Sequence, residues 1–415
     1  MPADSVFGDR SSRLSMAASA QIGQMSSLPI VRVNRKAADR VAAGHLWVFA
    51  SDVTDRRNAQ PGDAVRVLDP KGRTLALAHY SSTSQITLRL LSEQGEPDVT
   101  PGFLKRRIEA ADRLRQLVVS ESDAYRLVYA EGDLLPGLIV DKYGDYLAVQ
   151  FLDQGMDRLS TVIVDVLIEL FHPLGIVARN DIPSRSKEGL PVETKVLMGD
   201  VPPRVEIEMN KLRWQVDLLE GQKTGIFLDQ RENYLAARRY GSGKALDCFT
   251  ATGGFALHLA GVCESVEGVD SSAPSLAIAQ ANADTNGASN VRFQKADVLE
   301  YLPGLVSAHR SFDLLVVDPP AFSKSRGAVE GATRGYKEIN LRALRLLRPG
   351  GILVSCSCSH HMTEGHLLEV VAAAALDCGK RLRVLERRTQ AQDHPILLTV
   401  PETHYLNCLI LQVIA

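Results

Sequence analysis

The sequence predicts an α/β protein: a C-terminal half built on an open, doubly wound sheet, preceded by a small β-rich unit and a central α+β unit. Three stretches predict it. The first is Lys244 to Ala260, where a short apolar run, Ala245 to Phe249, passes through the small-residue turn Thr250 to Gly254 into helical spacing at Phe255, Leu257, His258 and Leu259. The second is Val266 to Asp270, a run that ends in an acid 23 residues after Asp247. The third is Phe312 to Val317, which runs into Asp318-Pro-Pro-Ala-Phe322.

Taken in order, residues 1–28 are rich in Ser, Ala, Gln and Met and lack the basic start and apolar core of a signal peptide, so a disordered tail is expected. Residues 29–100 alternate short β runs (Ile30–Val33, Asp63–Leu68, Leu75–Tyr80, Ile86–Leu91) with turn signals at Pro61-Gly62 and Pro70-Lys71-Gly72. Residues 101–124 form a basic linker helix that carries Lys105-Arg106-Arg107. The α+β unit, residues 125–220, has strands near Leu127–Ala130, Leu138–Val140, Tyr146–Phe151 and Gly175–Ala178, a helix over Met156–Phe171, and a hairpin of Val205–Met209 with Leu212–Leu218. The last domain is 221–415. In it, a helix over Ala273–Asn286 and a strand Val291–Lys295 lead to Asp297, and a strand Gly350–Ser355 leads to two cysteines.

Composition narrows the class. The chain has 415 residues, 45% hydrophobic and 23% charged, and no run approaches the ~18 apolar residues of a membrane span. Six cysteines in mostly apolar contexts suggest reduced thiols and a cytoplasmic address. A net charge of −2 argues against general polyanion binding and leaves room for a local basic face. Residues 29–100 offer one, with Arg32, Arg35, Lys36, Arg40, Arg56, Arg57, Lys71, Arg73 and Arg89 beside Trp47, Phe49 and Tyr80. That mixture suits RNA backbone contacts and stacking. A solvated face over an aromatic core explains it equally well, since acids are interleaved.

The glycine turn after Asp247 lets a ligand approach the backbone and the free N–H groups of the next helix. The dinucleotide pattern G-x-G-x-x-G is absent, with Phe249 and Ala251 where glycines would be expected. An acid at Asp247 repels phosphate and suits a cationic ligand, such as the ammonium or sulfonium of S-adenosylmethionine. Asp270 can hold both hydroxyls of a ribose, and Asp297 is placed to meet an adenine amino group. The stretch Gly221 to Asn233 brings Asp229, Gln230, Arg231 and Asn233 just ahead of the ligand strand and reads as a cofactor lid. Prolines after Asp318 hold the backbone extended and fix where that carboxylate points. Cys356 and Cys358 fall at a strand's carboxyl end, the edge where open α/β sheets bind ligands. A metal site of these two with His360 and His361 is disfavoured, because the pairs lie too close together for usual zinc spacing. No metal is expected.

The order Gly221-Gln-Lys-Thr-Gly-Ile-Phe-Leu-Asp-Gln-Arg231, Asp247-Cys-Phe-Thr-Ala-Thr-Gly-Gly-Phe255, Asp318-Pro-Pro-Ala-Phe322 and Ser357-Cys-Ser359, with Pro136-Gly-Leu-Ile-Val-Asp141, resembles the RlmI-type bacterial 23S ribosomal RNA cytosine-C5 methyltransferases. The resemblance runs from about residue 29 to the end. It implies an N-terminal PUA-like RNA-binding domain, a central α+β domain and a Rossmann-like class I methyltransferase domain that uses S-adenosylmethionine. The cofactor-binding positions are then Phe227, Asp229, Gln230, Arg231, Asn233, Asp247, Phe249, Thr250, Gly253, Gly254, Asp270, Ser271, Asp297 and Asp318, with Cys358 and Asp318 catalytic. Alignment of Cys-Ser-x-x-Met-Thr puts the family's cysteine on Cys358, and the extra Cys356 and the His360-His361 pair depart from the pattern.

The implied partner is large-subunit ribosomal RNA, its backbone held in part by Lys324, Arg326, Arg334 and Lys337. A homodimer is left open by the sequence. Pyrimidine C5 is a poor nucleophile until a thiolate adds to C6, which is why a cysteine is wanted. Two rivals stand beside this: methylation of a base nitrogen, which needs no thiol, and a non-catalytic ribosome assembly factor.

Overall fold

The computed structural model describes residues 28–92, 98–322, 329–359 and 362–414. The expected tail (Leu28 apart), Lys324, Arg326 and His360-His361 lie outside the described residues. The site is positioned by a seven-stranded sheet: β1 (Lys244–Cys248), β2 (Ser265–Asp270), β3 (Val291–Lys295), β4 (Phe312–Val317), β5 (Leu347–Ser357), β6 (Leu382–Arg388) and β7 (Asn407–Val413). The spatial order is β3-β2-β1-β4-β5-β7-β6, with β7 antiparallel to both its neighbours and the other pairs parallel. β4 is buried at all its positions, as a strand covered on both faces must be. Alternate residues feed two cores: Ala245, Leu314, Val316, Val354 and Cys356 face one, and Leu246, Leu315, Val317 and Leu353 the other.

Helices α1 (Arg231–Arg238), α2 (Gly254–Ala260), α3 (Ala273–Thr285), α4 (Val298–Ser307), α5 (Val329–Leu346) and α6 (Glu364–Asp377) cover these faces. α3 starts at the N-cap Ser272, whose hydroxyl accepts from Ser275 N, and has proline in its first turn.

Residues 30–92 form a six-stranded sheet. Its expected strands are present, joined by two short ones, Trp47–Phe49 and Val53–Asp55, and a helix, Arg35–Ala42, that the turn signals did not announce. Asn34 caps that helix by accepting from Ala37 N at 2.8 Å. The helix Pro101–Val118 leads to a five-stranded sheet over residues 124–199, whose edge strand Thr194–Gly199 has no buried residue and no apolar alternation to mark it in the sequence. The expected helix Met156–Phe171 is two helices, Gln154–Arg158 and Ser160–Phe171, because Asp153 caps a first short turn. The hairpin of Val205–Met209 with Leu212–Val216, read above with the central unit, docks on the C-terminal helices. Trp214 stacks on His258 with ring centroids 5.8 Å apart, and Gln215 N donates to Asn282 Oδ1 at 2.8 Å. One core runs through the hairpin, the central sheet and the seven-stranded sheet. No helix among the described residues is long and apolar enough to cross a membrane.

Candidate active site

β1 and β4 are neighbours at the point where the strand order reverses, so their carboxyl ends open a crevice. A cavity of about 360 Å³ fills it. Its walls are the turn after β1, the end of β2, Asp318 to Ala321, Cys358, and the chain from Gln222 to Gln230.

The turn is left-handed at Phe249 (φ 64°), Ala251 (φ 49°) and Gly253 (φ 92°). The two positions where glycine was expected thus adopt glycine's conformation without being glycine, at roughly 1–2 kcal/mol each. Thr250 N donates to Val269 O at 3.0 Å and ties the turn to β2. At Gly254 a Cβ would lie 2.5 Å from the Tyr234 ring, so only glycine lets α2 start against α1. Asp247 is buried just behind this wall. One of its oxygens accepts from Thr250 Oγ1 at 2.6 Å and from Ala256 N at 2.9 Å, and the other has no partner. Burial, helped by the charges of Asp318 and Asp270, raises its pKa to about 7 against those two hydrogen bonds. Asp270, on the cavity wall, accepts from Ala251 N at 3.0 Å and Ser272 N at 2.8 Å, which aims the carboxylate along the turn.

The stretch read as a lid is a buried wall. Thr224, Asp229, Gln230, Arg231 and Asn233 are all buried, and Thr224 Oγ1 donates to Asp141 Oδ2 at 2.5 Å, anchoring the stretch to the central sheet. Its polar composition is compatible with burial because its side chains bond neighbouring segments and one another. Arg388 Nε donates to Asn233 Oδ1 at 2.8 Å, Asn233 Nδ2 to Gln230 Oε1 at 2.7 Å, and Gln230 Nε2 to Asp318 Oδ2 at 3.0 Å. Asn233 therefore works behind the wall, orienting Gln230 on Asp318. Arg231 also points away, towards Asp393 at 3.4 Å. Asp229 accepts from Tyr405 Oη at 2.6 Å and pairs with Lys223, whose ammonium lies 4.4 Å over the Phe227 ring. Burial opposes its ionisation, yet Lys223 and His394 hold its carboxyl well below the usual range. Its second oxygen is buried and unpartnered.

Asp318 is raised to about 7, first by burial and then by the Asp229 charge, with Lys223 opposing. The two cysteines separate here. Cys356 is fully buried on β5, in register with Cys408 on β7, and burial pushes its thiol far up. β5 ends at Ser357, so the next residue is released from the pleat, and Cys358 lines the cavity. Burial and the Asp318 charge push the Cys358 thiol up to about 11, and Lys223 pulls it down.

The structure thus gathers Phe227, Asp229, Gln230, Phe249, Thr250, Gly254, Asp270, Ser271, Asp318 and Cys358 on one cavity. Asp247, Gly253, Arg231 and Asn233 stand outside its lining. Asp297 does too: it is exposed and caps α4, accepting from Leu299 N at 2.8 Å. Lys223, Tyr234 and Leu406 line the cavity without having been singled out. Lys223 was within reach, since it lies inside the Gly221 to Gly225 stretch, whereas Tyr234 and Leu406 carry no local signal.

Three carboxylates on the wall and a fourth behind it, against one lysine, make this a cavity for a cationic ligand.

Comparison with known proteins agrees with this geometry. Residues 31–93 match the model of a PUA-like domain and residues 241–397 that of a methyltransferase domain. The chain is 40% identical over 380 residues to ribosomal RNA large subunit methyltransferase I of Tolumonas auensis, covering 89% of this chain and 96% of that one. It is 38% identical to the protein of the same name from Erwinia tasmaniensis, over 88% and 94% of the two chains. Its fold matches a solved structure assigned as a methyltransferase and complexed with SAH, with a TM-score of 0.80 at 19% identity over 93% of this chain and 100% of that one.

Proposed function

We propose, since the chain belongs to the ribosomal RNA large subunit methyltransferase I family, that it methylates carbon 5 of a cytosine in large-subunit ribosomal RNA. S-Adenosylmethionine supplies an electrophilic methyl on a cationic sulfonium. The residues present fit such a ligand: the unpartnered oxygens of Asp247 and Asp229 call for positive charge, and Gly254 lines the cavity at the start of α2. Asp270 and Ser271 would hold the ribose, Phe227 and Phe249 would contact apolar faces, and Asp247 would hold the turn and offset the cation.

The observation that carries the cytosine reading is that Cys358 and Asp318 share this cavity while Cys356 does not. With its pKa near 7, Asp318 is partly protonated at neutral pH and can donate to cytosine N3 as the Cys358 sulfur adds to C6. That addition makes C5 nucleophilic. Once C5 is methylated, loss of its proton and elimination of the thiol restore the ring. Lys223 favours the Cys358 thiolate, and the bound cation would add to it. A target inside a helix has to be flipped out to reach this depth.

The thiol pKa of about 11 favours a second reading, methylation of a base nitrogen, which leaves Cys358 idle. RNA carrying 5-fluorocytosine at the target separates the two. On the first reading it traps a covalent complex seen on a denaturing gel. Cys358→Ser abolishes that complex and methylation while retaining cofactor binding, and Cys356→Ser retains all three. Methylation by Cys358→Ser at a near-normal rate would transfer the assignment to a base nitrogen. Absence of any rRNA methylation by the wild-type chain would leave an assembly factor.

A further inference from the structure

A second cleft, of about 580 Å³, lies where the PUA-like unit meets the methyltransferase unit. The junction is closed by Gly44 against Thr399 and by His45 Nε2 at 3.3 Å from Glu402. Trp47, Ser359, Met362, His404, Tyr405 and Asn407 line the cleft. It shares a wall with the cofactor cavity, since Ser359 follows Cys358 and Leu406, on the cavity, follows Tyr405. The cleft therefore begins one residue from the thiol.

Its chemistry is specific. Ser359 Oγ, Asn407 Oδ1 and His404 Nε2 have no hydrogen-bond partner among the described residues, and Ser359 and Asn407 are only 3% and 4% exposed. The Asn407 amide nitrogen donates to Met362 O at 2.8 Å, so the atom left without a partner is the oxygen, an acceptor. Buried polar atoms without partners are costly, and a ligand that supplies N–H donors would satisfy them. Glu364 and Glu402 at the same cleft would repel phosphate. Trp47 adds a flat apolar surface, held in orientation by its indole N–H, which donates to Glu131 Oε1 at 2.8 Å. A neutral planar ring with amino donors meets all of these conditions.

We infer that this cleft takes the nucleobase of the nucleotide next to the target, in an unpaired segment of RNA, stacked on Trp47 with its donor edge towards Ser359 and Asn407. The inference rests on the RNA methyltransferase reading and deepens it: the substrate is a strand locally open over at least two nucleotides, read across two domains.

The chain's two tryptophans make the test direct, because Trp214 is 1% exposed in the core and cannot meet RNA. Unmodified large-subunit rRNA, made by transcription, is titrated into the full chain while tryptophan emission and retention of RNA on a filter are followed. RNA should quench emission in the wild type and in Trp214→Phe, and should bind Trp47→Phe without quenching. Trp47→Ala should raise KM for this RNA roughly ten- to hundredfold, with kcat and cofactor affinity unchanged. Ser359→Ala, which keeps the stacking ring and its packing, should raise KM several-fold even if Trp47→Ala folds poorly. Bound RNA that leaves Trp47 emission unchanged, or an unaltered KM in Ser359→Ala, overturns the inference. Mass mapping of the product keeps the two proposals apart. A C5 methyl with unquenched Trp47 sinks the cleft alone, and quenching with a methyl on a base nitrogen sinks the C5 chemistry alone.

Discussion

Two carboxyls, Asp247 and Asp318, titrate near pH 7 because burial and neighbouring charges of the same sign oppose their ionisation. Their folded-state values lie above the unfolded value of about 3.9, so the stability they lend is present at low pH and is lost as pH rises towards 7. A bound cation favours the ionised form of Asp247, whose unpartnered oxygen it would meet, and lowers that value, so binding expels a proton. Affinity for S-adenosylmethionine should therefore strengthen as pH rises from about 6 to 7 and level off above, by at most about tenfold per pH unit for each proton released. Calorimetry in buffers of different ionisation enthalpy counts those protons. A flat pH profile would show that Asp247 does not face the cation. Asn233 acts one bond further back: Asn233→Ala frees Gln230 and should lower kcat severalfold, at a cost of about 1 kcal/mol, while cofactor affinity changes little. Equal losses in both would place Asn233 in the cofactor site instead.

Among elements, the strand-turn-helix of β1 and α2 does most to shape the site. Gly254→Ala would push a methyl into the Tyr234 ring, and overpacking of that kind costs about 1–3 kcal/mol. Part of the strain falls on the cofactor wall, since Tyr234 lines it. Thermal melting should show the loss, and the melting shift produced by added cofactor should shrink with it. The end of β5 decides between the cysteines in the same local way. Side chains two apart on a strand share a face, so pleat geometry alone does not separate Cys356 from Cys358; the stop at Ser357 does, on the side of Cys358. Cys356 stays in the pleat opposite Cys408, and Cys358 leaves it.

The units are joined through buried charge as well as through one core. Arg115, 1% exposed, donates to both oxygens of Asp133, to Arg126 O at 2.6 Å and to Asp393 O at 2.6 Å, tying the linker helix to the central sheet and to the C-terminal unit. Arg115→Ala should destabilise the chain by about 3–5 kcal/mol, because it takes the charge partner from a buried carboxylate and the donor from two carbonyls. Urea unfolding would record it as a fall in midpoint, and a loss under about 1 kcal/mol would mean that water reaches Asp133. The basic side chains of the PUA-like unit are less free than their number suggested. Arg40 pairs with Asp52, Arg73 with Asp69, and Arg89 with Glu188. RNA affinity should still fall linearly in log salt, with a slope set by the exposed cations that have no ion pair among the described residues, such as Lys36 and Lys71, rather than by all nine. Lys36→Ala and Lys71→Ala should each flatten that slope by about one.

The sequence alone determined the βα order of the C-terminal unit, the acids that close its strands, and most of the cavity wall, because apolar periodicity and glycine turns are local properties that burial only reinforces. β3, β4 and the strand Tyr146–Phe151 stand where periodicity put them, residue for residue. It also marked Phe249 and Ala251 as out of place, and these are the positions where the chain turns left-handed. What it did not contain was which side of a wall each residue takes. Asp297 lies near the right strand end but caps α4. Arg231 and Asn233 sit in the right stretch but face inward, and Tyr234 and Leu406 reach the cavity from elements far apart in the chain. The cleft at Trp47 exists only because residues 47, 359 and 407 meet across a domain junction. Spacing along a chain encodes secondary structure, whereas the meeting of distant side chains depends on how whole elements pack, and that is decided by the summed burial of the fold.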